Sequence, residues 1–462
     1  MTIDDFQTLP MARARPIARV LAAACLAGVA DPLEIRRRCF IALRENRPWL
    51  VALTHDLVQQ HDALIRARDL EALCTAILRN RHFRSVFEFG LWPPEACGYF
   101  VFEPEMLAAP KALGVSRVPA LPTPGELAHW LGISADELEW LADPAGWRQQ
   151  HEGPLSHYRY RWIGKRSGGS RLLEIPKSQL RRIQRQILKQ ILSQVPVHDA
   201  AHGCVAERSI FSNARPHADR AFVLRVDLAG FFTSIRASRI HALFETLGYP
   251  PATARYLAAL TTHATPAVVL RAEPAGDPSA VRTRVQSSRA IDLRARHLPQ
   301  GAPTSAALAN LAAWRLDLRL AAASDASEVR YTRYVDDMFY SSENFDRYRM
   351  QRFADMVYSI ICEEGFAPHF RKTRLMARSA SQRVTGLTVN AFPNIGRSDY
   401  DQLKAILTNC VRHGPEQQNR SGLADFKAHL MGRIAFVEQA NPLRAAKLHN
   451  LMAAINWSVP AS

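Results

Sequence analysis

Two short apolar segments that end in carboxylates constrain this 462-residue chain more than any other feature. Phe222–Asp227 (FVLRVD) is a mostly apolar run of strand length that closes on Asp227 and passes into a turn over residues 228–232. Residues 329–341 (VRYTRYVDDMFYS) are β-branched and aromatic on both sides of Asp336 and Asp337, which predicts a hairpin with the two acids at its tip. A lone Asp-Asp pair usually lies in a solvated turn, and taken alone this pair is open to that reading. Adjacent carboxylates nevertheless repel one another unless a cation lies between them. Asp227, at the end of a second strand, completes an oxygen-rich set of the kind Mg²⁺ prefers. Two such ions ~3.5–4 Å apart would activate a hydroxyl nucleophile and stabilise a leaving pyrophosphate during an in-line displacement.

The distribution of charge points to a partner. Residues 1–150 carry 16 Lys and Arg against 18 Asp and Glu, whereas residues 151–462 carry 43 against 25. A basic two-thirds, in a chain of net charge +16, is the electrostatic footprint of a protein that lies along phosphates. Hydrophobic residues make up 47% and charged residues 22%, which excludes a disordered or collagen-like chain. No apolar stretch approaches the ~20 residues of a bilayer span, so no membrane partner is expected. The seven cysteines (Cys25, Cys39, Cys74, Cys97, Cys204, Cys362 and Cys410) are odd in number, scattered and never in Cys-x-x-Cys spacing. That argues against a disulfide framework or structural zinc and for a reducing, cytoplasmic location. Arg13, Arg15 and Arg19 before the apolar residues 20–30 imitate a secretory leader. Asp4 and Asp5 precede them, however, and Arg36, Arg37 and Arg38 follow, as in an amphipathic first helix.

Apolar residues three to four apart predict helices over residues 17–30, 33–43, 50–58 and 64–78, followed by a Pro-rich linker at 110–124. Residues 126–143 (ELAHWLGISADELEWLAD) read as a helix pair around Gly132, with Ser134 as N-cap and Glu137 closing a capping box. The second helix carries Asp136, Glu137, Glu139 and Asp143 without a basic residue, so it would repel phosphates and is expected to be structural. Residues 176–195 form an amphipathic helix with Leu180, Ile183, Ile187 and Ile191 in one stripe and Lys177, Arg181, Arg182, Arg185 and Lys189 on cationic faces. Beside the Gly-rich basic residues 165–171 (KRSGGSR), that charge density points to phosphate contact. Residues 265–297 read as an irregular surface insertion, and no internal repeat is evident.

The acidic segments belong to a longer ordered set that resembles the reverse transcriptase family. Tyr334-Val335-Asp336-Asp337 is similar to that family's Tyr-x-Asp-Asp catalytic box, and residues 227–232 (DLAGFF) resemble its first acidic motif. Residues 298–310 (LPQGAPTSAALAN) resemble its template and nucleotide loop, 369–374 (HFRKTR) its lysine motif and 384–390 (VTGLTVN) its primer-side motif, all in the family's order. The resemblance implies that Asp227, Asp336, Asp337 and the backbone of Leu228 hold two Mg²⁺ ions. It implies that Lys165 and Arg171 grip the incoming triphosphate, that Gln300 and Gly301 line the nucleotide loop, and that Lys372 approaches the leaving group. Phe232 falls where the family places the ring that excludes a ribose 2′-hydroxyl. Gly301 would let backbone approach a base pair, and Pro303, Thr304 and Ser305 would open a small-residue helix over 306–320.

Two shorter signatures resemble the retron branch of bacterial enzymes: residues 213–217 (NARPH) and Val384-Thr385-Gly386. They imply RNA recognition by Asn213, His217, Val384, Thr385 and Gly386, with phosphate contacts from Arg181 and Arg185. His217 is equally open to the reading of a buried, satisfied core histidine.

The fold expected is α+β, a right-hand polymerase. An N-terminal helical extension and Pro-rich linker would occupy 1–125, fingers 126–220, an antiparallel-sheet palm 221–398 and a helical thumb 399–462. The implied function is that of an RNA-directed DNA polymerase that uses dNTPs to copy a cognate noncoding RNA into single-stranded DNA. The resemblance adds priming from a 2′-hydroxyl, a branched RNA–DNA product, and antiphage defence beside a separate effector protein. No further ordered acidic set follows the thumb, so removal of the template is expected to fall to a host RNase H. The alternatives are a group II intron-like or diversity-generating reverse transcriptase and a catalytically idle RNA-binding scaffold. The short chain beyond residue 386 argues against intron maturase and endonuclease domains, and the intact acids argue against the scaffold.

Overall fold

The computed structural model describes residues 3–457 except 28–30, 45, 67–68, 90–93, 96–105, 111–113, 116–117, 145, 147–154, 165–169, 273–292 and 345. The chain divides into two compact units, residues 1–107 with 121–127 and residues 108–120 with 128–462.

The first unit is helical: α1 (Ile3–Leu26), α2 (Pro32–Leu43), α3 (Pro48–Arg66), α4 (Leu70–Arg79) and α5 (Arg81–Phe89). Asp31 caps α2 by accepting from the amides of Leu33 and Glu34, and Asp69 caps α4 by accepting from Ala72. That second cap divides the helix expected over 64–78, because the Asp69 side chain satisfies an amide at the start of a new helix. Leu21, Leu50, Leu53, Leu57, Leu73, Ile77 and Phe83 fill the core.

The expected helix pair is present as α6 (Pro124–Leu131) and α7 (Ala135–Ala142), with the Ser134–Glu137 capping box formed in both directions. Next come the antiparallel strands β1 (Tyr158–Gly164) and β2 (Ser170–Pro176), a pair the hydrophobic pattern did not announce. The amphipathic helix is α8 (Ser178–Gln190); Leu180, Ile183, Ile187 and Ile191 are buried, while Arg182 and Gln186 donate to the Leu131 and Trp130 carbonyls. Short α9 (Ile210–Ala214) leads to β3 (Phe222–Asp227), α10 (Phe231–Ser234), α11 (Ala237–Thr246), α12 (Pro251–Thr261) and α13 (Ala267–Arg271). The helix expected over 306–320 is two, α14 (Ser305–Ala312) and α15 (Trp314–Ala326), parted at Ala313, and nothing local explains the break.

β4 (Arg330–Tyr334) and β5 (Asp337–Ser342) form the expected hairpin, followed by α16 (Arg347–Glu363) and β6 (Arg374–Ala377). The central sheet is antiparallel with strand order β4-β5-β3-β6. A small hairpin, β7 (Arg383–Val384) and β8 (Leu387–Thr388), precedes α17 (Arg397–His413), α18 (Phe426–Ala440) and α19 (Pro442–Ala453). Leu403, Leu407, Leu430, Ile434 and Leu448 share a core with Val384, Val223 and Phe339, tying these helices to the sheet. No helix among the described residues is long and apolar enough to cross a membrane.

Candidate active site

Strand register brings the three acids together. Asp227 ends β3 directly opposite Asp337, which opens β5, and Tyr334 pairs with the same Asp337 from β4. Only Val335 and Asp336 remain for the hairpin turn. The Leu228 amide donates to the Asp336 carbonyl (2.9 Å), and the His369 amide donates to the Asp227 carbonyl (2.7 Å). Two strand ends and a turn therefore meet at one point, with Leu228 beside the acids.

Val335 adopts φ +60°, costly for a β-branched residue and the reason such tight turns usually take glycine at this place. Its surroundings hold it there. A Cβ on Gly203 would lie 2.6 Å from both the Val335 amide nitrogen and its Cγ2, so only glycine leaves room for the turn. Arg333, wholly buried, donates from Nη1 to the Val335 carbonyl (3.0 Å) and the Asn310 Oδ1 (3.0 Å). Its Nε and Nη2 donate to the two oxygens of buried Asp317 (2.7 and 2.6 Å), which also accepts from the Tyr331 hydroxyl (2.8 Å). Asn310 in turn donates to the Gly203 carbonyl (2.9 Å), closing the loop of contacts. Nothing in the sequence analysis marks this brace; an inward guanidinium needs a buried acid, and the fold supplies it as Asp317.

The acids also have basic partners. Lys372 donates to both oxygens of Asp227 (2.9 and 3.1 Å), and Arg225 binds Asp337 through Nε and Nη2 at 2.7–2.9 Å. Arg225 escaped the sequence reading, although it sits two residues before Asp227 on the same strand face. Burial pushes the Asp337 carboxyl up to about 6; Arg225 offsets part of this, and the Asp336 and Asp227 charges add to it. Burial and then the Asp227 charge also raise Asp336, against the pull of Lys372 and Arg171. Among the described residues no three His, Cys, Asp or Glu side chains stand in a ready metal-holding arrangement. The donor chemistry nevertheless fits a divalent cation. Three hard carboxylates converge, burial and one another's charge raise two of them, and each carboxylate keeps lone pairs beyond those that Arg225 and Lys372 engage.

The remaining expected site residues fall into three groups. Arg171, exposed on β2, lies close enough to act on Asp336; Gln300 and Gly301 follow in the loop that β2 touches; and Phe232 is half-buried against buried Phe231. Lys165 lies outside the described residues. Arg185 is exposed and Arg181 half-buried on α8.

The third group corrects an expectation. Asn213, His217 and Val384 are wholly buried, so none of them meets RNA directly. His217 instead bonds Ser341 on β5 (2.7 Å) and Thr332 on β4 (2.8 Å) through its two ring nitrogens, and burial pushes it down to about 3, which keeps the ring neutral. The two short signatures are also neighbours. Thr385 and Gly386 both take positive φ in the β7–β8 turn, and the Thr385 hydroxyl donates to the Ile210 carbonyl on α9, the helix of Asn213 (3.1 Å). Of the five expected RNA-reading residues, Gly386 is exposed and Thr385 half-buried.

The reverse transcriptase (RNA-dependent DNA polymerase) family matches residues 163–389, a span that contains all three acids. Reverse transcriptases generally depend on a divalent metal, in agreement with the donor set. The chain is 37% identical to the retron Mx65 reverse transcriptase of Myxococcus xanthus over 72% of this chain and 71% of that protein. It is 32% identical to the retron Mx162 reverse transcriptase of the same organism (69% of this chain, 64% of that protein). It is 28% identical to the retron Ec86 reverse transcriptase of Escherichia coli (68% of this chain, 90% of that protein). A match of the depth seen with the first of these, over more than two thirds of both chains, places this chain in the retron reverse transcriptase family, as an RNA-directed DNA polymerase.

Proposed function

We propose that the chain copies a noncoding RNA of its own into single-stranded DNA at the tip of the β3–β5 pair, where Asp227, Asp336, Asp337 and the Leu228 backbone hold two Mg²⁺ ions. Bound there, the ions would supply the positive charge that activates a hydroxyl nucleophile and stabilises the leaving pyrophosphate. The observation that carries this reading is the register of Asp227 against Asp337 with Asp336 in the intervening turn.

The protein's own residues do the positioning. The Arg333–Asp317 brace fixes the turn that carries Asp336, so the acid is placed before substrate arrives. Lys372 and Arg171 offer positive charge to the triphosphate, with Lys165 close to Arg171 in sequence. Gln300 and Gly301 bear on the nascent base pair, and Phe232 abuts the sugar of the incoming nucleotide. Within a right-hand arrangement, residues 126–220 serve as fingers, 221–398 as palm and 399–462 as thumb, and residues 1–125 as an extension. Arg181 and Arg185 contribute salt-sensitive phosphate affinity. Asn213, His217 and Val384 act from the interior by shaping the surface that Thr385 and Gly386 present to RNA.

On this reading the reaction starts at an RNA 2′-hydroxyl and leaves a branched RNA–DNA product in the cytoplasm. A host RNase H trims the template, and the complex serves antiphage defence with a separate effector. Sequencing the nucleic acid that copurifies with the protein, before and after debranching enzyme, tests this. One structured RNA joined to DNA by a 2′,5′-linkage is expected; linear cDNA alone would favour a group II intron-like or diversity-generating mode of action.

A further inference from the structure

Glu174 is a buried acid that the polymerization chemistry above does not use. It lies on β2, about 10 Å along the strand from Arg171 at ~3.3 Å per residue. Its Oε2 sits 3.0 Å from Nε2 of His297, and both side chains are essentially inaccessible to solvent. The other ring nitrogen of His297 faces the Ala295 carbonyl (2.8 Å), so with acceptors on both sides of the ring the pair holds a proton between carboxylate and imidazole. The second oxygen of Glu174 accepts from the Thr265 hydroxyl (2.6 Å). Burial alone would push this carboxyl up, but His297, His263 and Thr265 outweigh it and hold Glu174 below the usual range.

The same residue grips the nucleotide loop through its backbone. The Glu174 amide donates to the Gln300 carbonyl (2.8 Å), and a Cβ on Gly301 would come within 2.9 Å of the Glu174 carbonyl oxygen. His297 and His263 exchange backbone hydrogen bonds (2.9 Å each), and His263 stacks on Tyr158 and lies 2.9 Å from the Tyr160 hydroxyl, both on β1. One residue of the β1–β2 hairpin therefore touches the loop at His297, Gln300 and Gly301.

We propose that Glu174 and His297 form a positioning latch that holds the β1–β2 hairpin, with Arg171, at a fixed offset from the Gln300–Gly301 loop, and so sets the binding of the incoming nucleotide. This rests on the reading that Arg171 and that loop receive the dNTP. A buried charged pair is a poor source of stability but a strong geometric constraint, because misalignment leaves a charge unpaired. Losing the alignment should weaken nucleotide binding more than it slows the chemistry at Asp227 and Asp336.

The test is single-nucleotide incorporation on a DNA primer annealed to RNA, by the full chain and its Glu174→Gln, His297→Gln and Arg171→Ala variants, together with hydrogen–deuterium exchange. Each latch variant is expected to raise the dNTP KM about tenfold with kcat within about twofold and primer–template affinity unchanged. Exchange should accelerate together in residues 158–164, 170–176 and 297–304. The Glu174→Gln/Arg171→Ala double variant should be little worse than Arg171→Ala alone, a non-additivity that general destabilisation would not produce. An unchanged KM in Glu174→Gln, or faster exchange confined to β2, would overturn the latch. An unchanged KM in Arg171→Ala would instead overturn the assignment of Arg171 to the nucleotide, while the coupled exchange still decides the latch. If Glu174→Gln does not fold, Thr265→Val removes one hydrogen bond to the same carboxylate; it should move KM in the same direction by a smaller factor, and no movement would overturn the proposal.

Discussion

The two compact units of this chain bury different chemistry. In the first, among the described residues, the buried polar side chains are Arg38 and Thr54, and each satisfies itself on nearby helical backbone. The rest of that core is Leu, Ile, Ala, Cys and Phe. The second unit buries Glu174, Gln184, His217, Asp227, His263, His297, Asn310, Asp317 and Arg333, with partners often more than a hundred residues away. Apolar packing is non-directional and tolerates rearrangement, whereas buried charges are costly and hold only in one geometry. Directional groups are concentrated in the unit where a few ångströms decide catalysis, and among the described residues the helical unit buries two, Arg38 and Thr54, both bonded to nearby helical backbone.

The largest expected consequence is at the acids. Asp227→Asn and Asp336→Asn should each lower nucleotide incorporation by roughly a thousandfold or more, while RNA affinity, spread over many phosphates, changes by no more than about twofold. Rapid-quench incorporation beside filter binding measures both, and near-wild-type synthesis in either variant would remove these acids from the chemistry.

Next comes the brace beneath the Val335 turn. Asp317→Asn leaves the Arg333 charge buried without a counter-charge, and should cost about 3–5 kcal/mol of stability in the second unit. Incorporation should fall as well, even below the melting transition, because the turn that bears Asp336 loosens.

The helical unit offers the control. Leu53→Ala removes a wholly buried side chain and should cost that unit about 3 kcal/mol, read as faster hydrogen exchange in α1 and α3, with incorporation within about twofold of wild type. An equal loss of catalysis would show that the apolar unit also carries positional information.

The smallest effect is a pH dependence. The buried ring of His217 stays neutral down to about pH 3, whereas in the unfolded chain it takes a proton near pH 6.5. Between those values the unfolded state binds more protons, so stability falls as pH is lowered, by at most about 1.4 kcal/mol per pH unit from this one group. His263, pushed down to about 3, and His202, pushed down to about 4, both primarily by burial, act in the same direction. Denaturant midpoints at pH 7.5 and 5.0 should therefore differ less in His217→Gln than in wild type.

Local signals were readable from the amino-acid order because their partners are close by. The Ser134–Glu137 box, the α8 stripe, the β4–β5 hairpin and the apolar strand ending in Asp227 all depend on neighbours within a few residues. The devices that position the acids depend on distant residues. Arg225 and Arg333 look like outward charges in an alternating strand, and only the fold supplies Asp337 and Asp317 as their partners. Glu174 looks like one more surface acid, and the residue that pairs with it lies 123 positions away. The short signatures at Asn213 and Val384 carried family identity but no information on burial, so they were assigned to RNA when they serve the interior. The split between α14 and α15 has no breaker to announce it.

The most direct measurement is extension of a DNA primer on an RNA template by the purified full chain, with dNTPs and Mg²⁺ titrated from zero, beside Asp227→Asn. The account predicts products whose sequence follows the RNA, that appear only with the divalent ion, vanish on chelation, return on its restoration and are missing from the variant. Template-independent products, or extension by Asp227→Asn at the wild-type rate, would contradict it.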